Sequence, residues 1–314
     1  MVQQYLRKAS LVVELAGNGA DTLLDLSKLQ FTFQTQAWML ATPKAIQLRI
    51  YNLNDQTAKS VTEAGAKIFL SAGYEGNNGS IFEGEIVQVR TGRENGTDTY
   101  LDITAVDGDG AYNYSLVNLT VAAGTDVIGR VGAIAKAAGI NTGTIAVQTN
   151  GEKLHRGRTY FGLAREHLSS LCGTIGANWT INNGKLDVIG QNAYKEGDIP
   201  LLTTATGMIG VPEQMELGIS VRVLLNPHIE INKQVQIDNK SIQQYQYGID
   251  KESQSRIMLQ PPTSADGKYK VLYVTHTGDT RGNDWFTDLV CYAGEHITNS
   301  DTQGLYYNTT RLQY

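Results

Sequence analysis

The sequence predicts a mainly β protein with a small α+β insert. Its 314 residues include 33 glycines and only 6 prolines, and its 16 tyrosines outnumber the 6 phenylalanines and 3 tryptophans. Short segments of alternating apolar and polar residues, separated by turns rich in glycine and asparagine, are typical of antiparallel strands. A hydrophobic fraction of 41% excludes a disordered chain, and the length allows two or three domains.

The first third, residues 1–107, is expected to form a β-barrel domain. From residue 31 to 107 the pattern has a period of two, as where Ile46, Leu48 and Ile50 alternate with polar neighbours. The pair Asn95-Gly96 supplies the positive φ angles that tight hairpins need. Strands at this spacing predict an antiparallel barrel or sandwich.

Residues 108–196 predict a small α+β domain made of helices and a β-hairpin. Thr125 or Asp126 can cap a helix that ends at Gly139. A second helix is expected to begin near Thr159, because apolar residues follow at helical spacing. The hairpin then turns at residues 182–184, Asn-Asn-Gly.

Strand character returns in residues 197–314, which predict a second β-barrel domain. The expected strands cover 218–225, 229–237, 269–276 and 287–292. Asn226-Pro227 breaks the first of them, because proline has no N–H to donate to a ladder. Residues 239–262 are polar and rich in glutamine, which favours a long loop.

Charge and cysteine content narrow the function classes. A net charge of −5 argues against a protein that holds nucleic acid through phosphate contacts. The sequence has no long apolar run of the kind that spans a membrane. Cys172 and Cys291 lie in apolar surroundings, which favours two buried, unpaired thiols. We therefore expect a protein that stays in a cytoplasm until it is assembled into a larger structure.

The sequence lacks the common catalytic motifs, so we expect neither an enzyme nor a cofactor. It contains no Gly-X-Ser-X-Gly elbow, no phosphate-binding loop and no His-Glu-X-X-His helix. The run Asp107-Gly108-Asp109-Gly110 is like the start of a calcium loop. The closing glutamate of such a loop would fall at Asn118, so a turn is favoured.

Residues 276–285 are the most pointed cluster of polar side chains. His276 and Asp279, with His296 further on, suggest either a metal site or an acid–base pair. The favoured interpretation is a turn in which Asp279 accepts backbone N–H bonds and Trp285 packs at a barrel end.

A basic cluster precedes the second predicted helix. It consists of Lys153, His155, Arg156 and Arg158. We interpret it as a solvated loop, or else as a contact for the anionic surface of a partner protein.

Several segments resemble the second barrel of bacteriophage tail baseplate hub proteins of the Mu-like, contractile-tail kind, which are related to type VI secretion spike hubs. One is an apolar strand that ends in Leu-Asn-Pro at 225–227, and another enters a His-X-Gly-Asp turn at 276–279. Residues 161–189 resemble the hub's middle domain, so that the resemblance covers residues 120–314. The residues that carry the signature are Gly210, Pro212, Gly218, Asn226, Pro227, His276, Gly278, Asp279 and Trp285.

The resemblance implies a structural virion protein. Such hubs form a homotrimeric ring in which two tail-tube-like barrels per chain, flanking a helix-hairpin domain, give pseudo-sixfold symmetry. The ring joins the hexameric tail tube to the trimeric central spike and lets DNA pass. Tape-measure and baseplate wedge proteins are further expected partners, and no appended lysozyme-like module is expected. The expected location is the tail baseplate of the virion, after assembly in the host bacterial cytoplasm.

Two alternative functions follow from other residues. A carbohydrate- or cell-surface-binding virion protein is suggested by Tyr245, Tyr247, Tyr306 and Tyr307. A cell-wall hydrolase is suggested by Glu83 and Glu85, which are two residues apart on one strand and therefore share a face.

Overall fold

The protein is mainly β in the computed structural model, with 53% of its residues in strands and 16% in helices. The structure describes residues 6–15, 22–149, 151–215, 218–244 and 263–293. The strands, numbered in chain order, are β1 (Arg7–Leu15), β2 (Thr22–Asp25), β3 (Phe31–Trp38), β4 (Ala45–Tyr51), β5 (Gly65–Tyr74), β6 (Asn77–Glu94), β7 (Asp98–Val106), β8 (Leu116–Val121), β9 (Asn141–Ala146), β10 (Arg158–Leu163), β11 (Ala177–Asn182), β12 (Lys185–Gly190), β13 (Leu201–Leu202), β14 (Met208–Met215), β15 (Gly218–Leu224), β16 (Gln234–Ile237), β17 (Gln243–Gln244), β18 (Lys268–Asp279) and β19 (Trp285–Tyr292). The mainly β prediction is confirmed.

The α-helices are α1 (Asp55–Ala64), α2 (Val127–Ala137) and α3 (Ala164–Thr174). A π-helical turn covers Gly110–Tyr114, and short 3₁₀ turns cover Thr204–Thr206 and Asn239–Ser241. Across the described parts of the chain, every helix is too short or too polar to cross a bilayer.

The outer thirds of the chain share one sheet of 14 strands. Its main path runs β17-β14-β15-β19-β18-β3-β4-β7-β6-β5-β1-β2, with β13 and β16 attached beside β18. Within the described residues the two ends of this path do not pair with each other, and no closed barrel is found. The expectation of two separate barrels is therefore not confirmed. Strand patterns show which residues are buried, but they do not reveal which distant strand pairs with which.

The pairing of β3 with β18 joins the two outer thirds. It is antiparallel and runs from Trp38 opposite Tyr273 to Thr32 opposite Asp279. The rings of Trp38 and Tyr273 lie 4.2 Å apart at one end of this ladder. Phe31 accepts a backbone bond of 3.1 Å from the residue after β18 at the other end.

Trp285 brings the last third of the chain into the hydrophobic core of the first third. Its ring is buried and packs edge-on against Phe33, with 5.6 Å between ring centroids. Its Nε1 donates to the carbonyl oxygen of Gly73 at 3.2 Å. Gly278 pairs with both Phe33 and Trp285, and a Cβ there would collide with the Phe33 ring. Only glycine leaves room for these two rings.

Helices α2 and α3 pack with two small sheets around a separate core in the middle of the chain. One sheet has the order β11-β12-β9 and the other pairs β8 with β10. The predicted start of α2 is confirmed, because Asp126 Oδ1 accepts from the backbone N of Gly129 at 2.8 Å. The predicted hairpin is also confirmed, as β11 and β12 with a turn at Asn183, where φ is 51°.

Two predicted element boundaries are wrong, and one helix was not predicted. The second helix begins at Ala164 rather than near Thr159, because 158–163 forms β10 and Gly162 has a φ of 135°. The expected strand 229–237 is reduced to Gln234–Ile237, since Asn232 has a φ of 66° just before it. The polar helix α1 interrupts the period-two pattern of the first third.

Lys270 ties the last third of the chain to residues 108–196, the middle unit. Its Nζ donates to the carbonyl oxygens of Gly190 and Gln191 at 3.1 and 3.2 Å, at the end of β12. The hydroxyl of Tyr292 donates to the same Gln191 oxygen at 3.0 Å. Burial lowers the pKa of Lys270 to about 7.

His276 is buried at the centre of the β3–β18 ladder. Its Nδ1 lies 2.8 Å from the hydroxyl oxygen of Thr287, and its backbone N donates to Thr35 Oγ1 at 3.2 Å. Burial lowers its pKa to about 3, and the nearby charge of Lys44 acts in the same direction. The imidazole is therefore neutral at physiological pH.

We predict that Gly278→Ala destabilises the fold. The added methyl group forces apart the buried rings of Phe33 and Trp285, so the free energy of unfolding should fall by about 1–3 kcal/mol. Gly173→Ala is the matched control, because Gly173 is exposed in α3 and its Cβ would meet nothing. Denaturant unfolding measures both variants. Equal stability of the two would contradict the packing described for Gly278.

We also predict that His276 makes stability depend on pH. The unfolded imidazole binds a proton near pH 6.5, whereas the folded one remains neutral down to about 3. The stabilisation that depends on this neutral imidazole is therefore present above pH 6.5, and it is lost as the pH falls toward 3. Between pH 6.5 and 5 the free energy of unfolding of the wild type should fall about 1 kcal/mol per pH unit more steeply than that of His276→Gln.

The exposed His228 supplies the control for this titration. His228→Gln removes an exposed histidine without touching the buried one, and it should keep the wild-type slope. Burial raises the pKa of Asp107 to about 6, so this group changes the free energy of unfolding with pH in the opposite direction. Because the wild type and both histidine variants retain Asp107, its effect cancels in the comparison. Parallel curves for wild type and His276→Gln would contradict the buried neutral imidazole.

Candidate assembly interface

His276 and Asp279 lie in the last part of strand β18, and the turn follows at residues 280–284. Asp279 Oδ1 accepts from the backbone N of Arg281 at 2.8 Å, and the His276 ring is engaged with Thr287. His296 lies outside the described residues. Over the described ranges, no cluster of three or more His, Cys, Asp or Glu side chains is placed to hold a metal ion. The predicted role of Asp279 as an acceptor of backbone N–H bonds is confirmed.

The other candidate chemical groups are also tied into the fold. Asp107 is buried, and its Oδ1 accepts from the backbone N of Gly184 at 3.0 Å. Glu83 and Glu85 are half-buried on β6, and Glu85 Oε2 accepts from the backbone N of Gly110 at 2.9 Å. The carboxylates of Asp107 and Glu85 therefore fix the turn 107–110 between β7 and the middle unit.

Both cysteines are buried and unpaired. Burial raises the pKa of the Cys172 thiol to about 12 and that of Cys291 further still. Protonated thiols are poor nucleophiles and poor metal ligands, so these two serve packing.

The signature residues of β14 and β15 shape one end of the large sheet. Gly210 has a φ of 76° and is exposed, while Pro212 is buried. Both lie where the β14–β15 register shifts between Ile209 and Glu213. Gly218 has a φ of 141°, and a Cβ there would collide with the carbonyl oxygen of Cys291.

Asn226 and Pro227 lie where the last third of the chain meets the first. The backbone N of Asn226 donates to Thr287 Oγ1 at 3.1 Å, and its side-chain oxygen accepts from His228 N at 3.1 Å. Pro227 packs against Gly79 of β6, where a Cβ would lie 3.2 Å from the proline ring. The same join of the outer thirds contains the signature residues of β18 and β19, which include His276 and Gly278. Gly210 and Pro212 lie instead near the end of the large sheet.

A buried polar junction connects all three parts of the chain. It encloses a cavity of about 20 Å³, which is room for a single water molecule. Lys44 Nζ lies 3.5 Å from Asn182 Oδ1, and the Asn182 amide donates to Glu230 at 3.4 Å. Burial lowers the pKa of Lys44 to about 8, although the charges of Asp107 and Glu230 oppose this. The cavity is too small for a substrate. The polar junction around it therefore serves to hold the three parts of the chain together.

The surface offers better candidates for function than the interior. At one end of the large sheet, β14 presents the exposed side chains Ile209, Val211 and Met215. At the other end, β2 presents the exposed Leu23. Edge strands carry unpaired backbone groups that can pair with another chain. These two sheet ends are therefore candidate assembly surfaces.

A second candidate surface lies on the small sheet of β8 and β10. Leu116 and Phe161 are exposed to 73% and 78%, although both are large and apolar. The basic cluster that precedes β10 is exposed as well. This face was not predicted, because Phe161 also fits the helical spacing of the second predicted helix. The alternation of exposed Thr159 and Phe161 about buried Tyr160 was the signal for a strand. Tyr245, Tyr247, Tyr306 and Tyr307 lie outside the described residues.

Solved structures of tail proteins share this fold. The 43 kDa tail protein of prophage MuSo2 from Shewanella oneidensis matches with a TM-score of 0.57 and 10% identity, over 92% of this chain and 98% of that one. A tail protein from Neisseria meningitidis MC58 gives the same TM-score and identity over 91% and 96%.

A third solved structure links the fold to secretion systems. The E. coli c3393 protein is described as a component of the type VI secretion system with structural similarity to T4 tail proteins gp27 and gp5. It matches with a TM-score of 0.52 and 9% identity over 94% of this chain and 78% of that one. Identities this low show likeness of fold alone.

The sequence comparisons address the family directly. A search of curated proteins finds no match. The family model described as "Baseplate hub gp41" matches residues 32–247, which is more than half of the chain. That family is structural, so the protein has a structural role in a bacteriophage tail. The chain therefore belongs to the baseplate hub gp41 family, as the signature segments predicted.

Proposed function

We propose that the protein is the hub subunit of a contractile-tail baseplate. Three copies form a ring with pseudo-sixfold symmetry, which joins the hexameric tail tube to the trimeric central spike and lets DNA pass. The observation that carries this proposal is the open sheet of 14 strands, whose path ends within the described residues at β2 and at the two-residue strand β17 beside β14. A sheet with two unlike ends can join head to tail, and such joins form a closed ring when the rotation between copies closes.

The proposed ring gives each chain two tail-tube-like units, residues 1–107 and 197–314, on either side of a helix-hairpin unit at 108–196. Three hydrophobic clusters support this division, one centred in each part of the chain. Leu225 and Trp285 belong to the first cluster although they come from the last third. The two tube-like units are thereby held at a fixed relative position, which a pseudo-sixfold ring requires.

The signature residues serve this architecture rather than any chemistry. Gly218 and Gly278 allow close approach of neighbouring strands, and Pro227 packs the last third onto β6. The mechanism of the hub is geometric: it presents six similar units to the tube and three identical ones to the spike. No cofactor enters this mechanism.

The virion context follows from the same proposal. The subunit is assembled in the host bacterial cytoplasm and remains in the tail baseplate, where the tape-measure and wedge proteins are further neighbours. A net charge of −5 suits a channel through which DNA slides during genome ejection, because it offers the phosphates no excess of cations.

The other candidate functions find less support. A cell-wall hydrolase would use Glu83 and Glu85, but Glu85 is engaged with the backbone of Gly110. The tyrosines that suggested glycan binding lie outside the described residues. A clearing assay on purified peptidoglycan should show no hydrolysis, and saturable glycan binding would favour the second alternative.

We predict that the purified chain assembles into a particle of three times its 34.3 kDa mass. Light scattering over a range of concentrations measures the mass, because the ring forms by mass action. Electron micrographs of the particle should show threefold symmetry with a near-sixfold inner wall. A strict monomer at high concentration, or a closed ring of another order, would overturn the proposed ring.

A further inference from the structure

Lys44 and Asn182 meet inside the buried polar junction, although they come from different parts of the chain. Lys44 immediately precedes β4 in the first third, and Asn182 ends β11 in the middle unit. Both residues are more than nine-tenths buried, and Lys44 Nζ lies 3.5 Å from Asn182 Oδ1. The amide carbon is one bond, about 1.2 Å, beyond that oxygen. A small rotation of the amide therefore brings its carbon to the distance of about 3–3.5 Å from which bonds form.

The Lys44 amine is suited to act as a nucleophile. Burial lowers its pKa to about 8, although the charges of Asp107 and Glu230 oppose this shift. Near pH 8 about half of the Lys44 amines are therefore neutral, and only the neutral amine attacks a carbonyl carbon. Lys270 is also buried, but in the described part of the chain its Nζ donates to backbone carbonyl oxygens rather than to a side-chain amide.

Glu230 supplies a proton carrier beside the amide. Its Oε2 accepts from the Asn182 side-chain nitrogen at 3.4 Å, while its Oε1 accepts from Lys233 Nζ at 2.7 Å. The carboxylate therefore contacts the nitrogen that leaves when the amide is attacked, and its charge also acts on Lys44. Glu230 can take a proton from the attacking amine and deliver it to the leaving nitrogen.

The cavity at this junction provides room for a small leaving group. Its volume is about 20 Å³, and its lining includes Lys44, Asn182, Glu230 and His276. Ammonia is about the size of a water molecule, so the cavity can hold it. Because the junction is buried, few water molecules reach the amide to compete with the lysine.

We propose that Lys44 and Asn182 join in an intramolecular isopeptide bond. The neutral Nζ attacks the side-chain carbon of Asn182, and the π electrons of the carbonyl move onto Oδ1. Glu230 carries one proton from Nζ to Nδ2, the bond between Cγ and Nδ2 breaks, and the carbonyl re-forms. One ammonia leaves for each amide bond that forms, so the reaction needs no oxidant, cofactor or second substrate.

The bond ties the first third of the chain covalently to the middle unit. The two residues are 138 positions apart, so the cross-link closes a long loop. A cross-link of this kind reduces the conformational entropy of the unfolded chain and keeps the two parts together even when their packing loosens. The inference concerns a single chain and is independent of the proposed ring.

Mass spectrometry of the purified full-length chain tests the bond. The wild type should be about 17 Da lighter than its sequence requires, which is the mass of one ammonia. Trypsin should no longer cleave after Lys44, because the modified side chain has lost its charge. Residues 29–49 should therefore be recovered joined to residues 166–185.

Three variants assign the roles of the side chains. Lys44→Arg should keep its full sequence mass, because a guanidinium that stays charged does not attack the amide. Glu230→Gln still forms hydrogen bonds but cannot carry the proton, so its cross-linked fraction should fall at least about tenfold. Lys270→Arg changes another buried lysine and is the matched control, which should lose ammonia like the wild type. Circular dichroism verifies that each variant is folded.

The peptide map of the wild type decides the question even where a variant does not fold. Full sequence mass with normal cleavage after Lys44 overturns the proposal. A loss of about 18 Da, with residue 44 joined to Asp107 or Glu230, overturns the assignment to Asn182, because a carboxyl group releases water instead of ammonia. Equal cross-linking in the wild type and Glu230→Gln overturns the role of Glu230. A chain that stays monomeric yet carries the bond overturns the ring alone.

Discussion

The pairing of β3 with β18 is the contact on which the rest of the structure depends. It brings together residues that are about 240 positions apart, and seven opposed pairs hold them. Once this ladder forms, β19 follows β18 and carries Trp285 into the core of the first third. Without it the chain would hold two smaller sheets, each with a further exposed edge. The continuous sheet is therefore a consequence of this one register.

Buried polar groups then fix the middle unit against the sheet. Lys270 reaches the carbonyl oxygens at the end of β12, and the Lys195 backbone N donates to the carbonyl oxygen of Asn232. Burying a charge costs several kcal/mol unless the new partners replace water. These groups therefore add little net stability, but any displaced arrangement of the units would leave them unpaired. Such a penalty selects one relative position of the middle unit and the sheet.

Local patterns in the sequence predicted the local structure well. Alternation identified β3 and β4, the Asp126 cap identified α2, and Asn183-Gly184 identified the β11–β12 hairpin. The failures share a physical cause. Strand β18 is buried on both faces, so its sequence does not reveal its partners. Helix α1 is polar, and an apolar-pattern search passes over it.

The exposed face of β8 and β10 was not predicted, for a related reason. Phe161 fits both a helical stripe and a strand alternation, and an apolar residue is ordinarily assigned inward under either pattern. Its exposure emerges only when Val117 and Tyr160 are seen to fill the core beneath it. Sequence patterns locate the residues that a single chain buries. They cannot distinguish these from the residues that the chain leaves for an assembly to bury.

The two ends of the sheet show how an open edge can remain selective. In β14 the register shifts between Ile209 and Glu213, and Pro212 has no N–H to offer. This interruption lies in the ladder with β15, and on the other side of β14 the two-residue strand β17 pairs only with Glu213 and Gln214 among the described residues, so this end offers no long regular ladder. The exposed side chains of Ile209 and Val211 remain beside it. Recognition at this end therefore depends on the shape of a matching side-chain surface more than on backbone pairing.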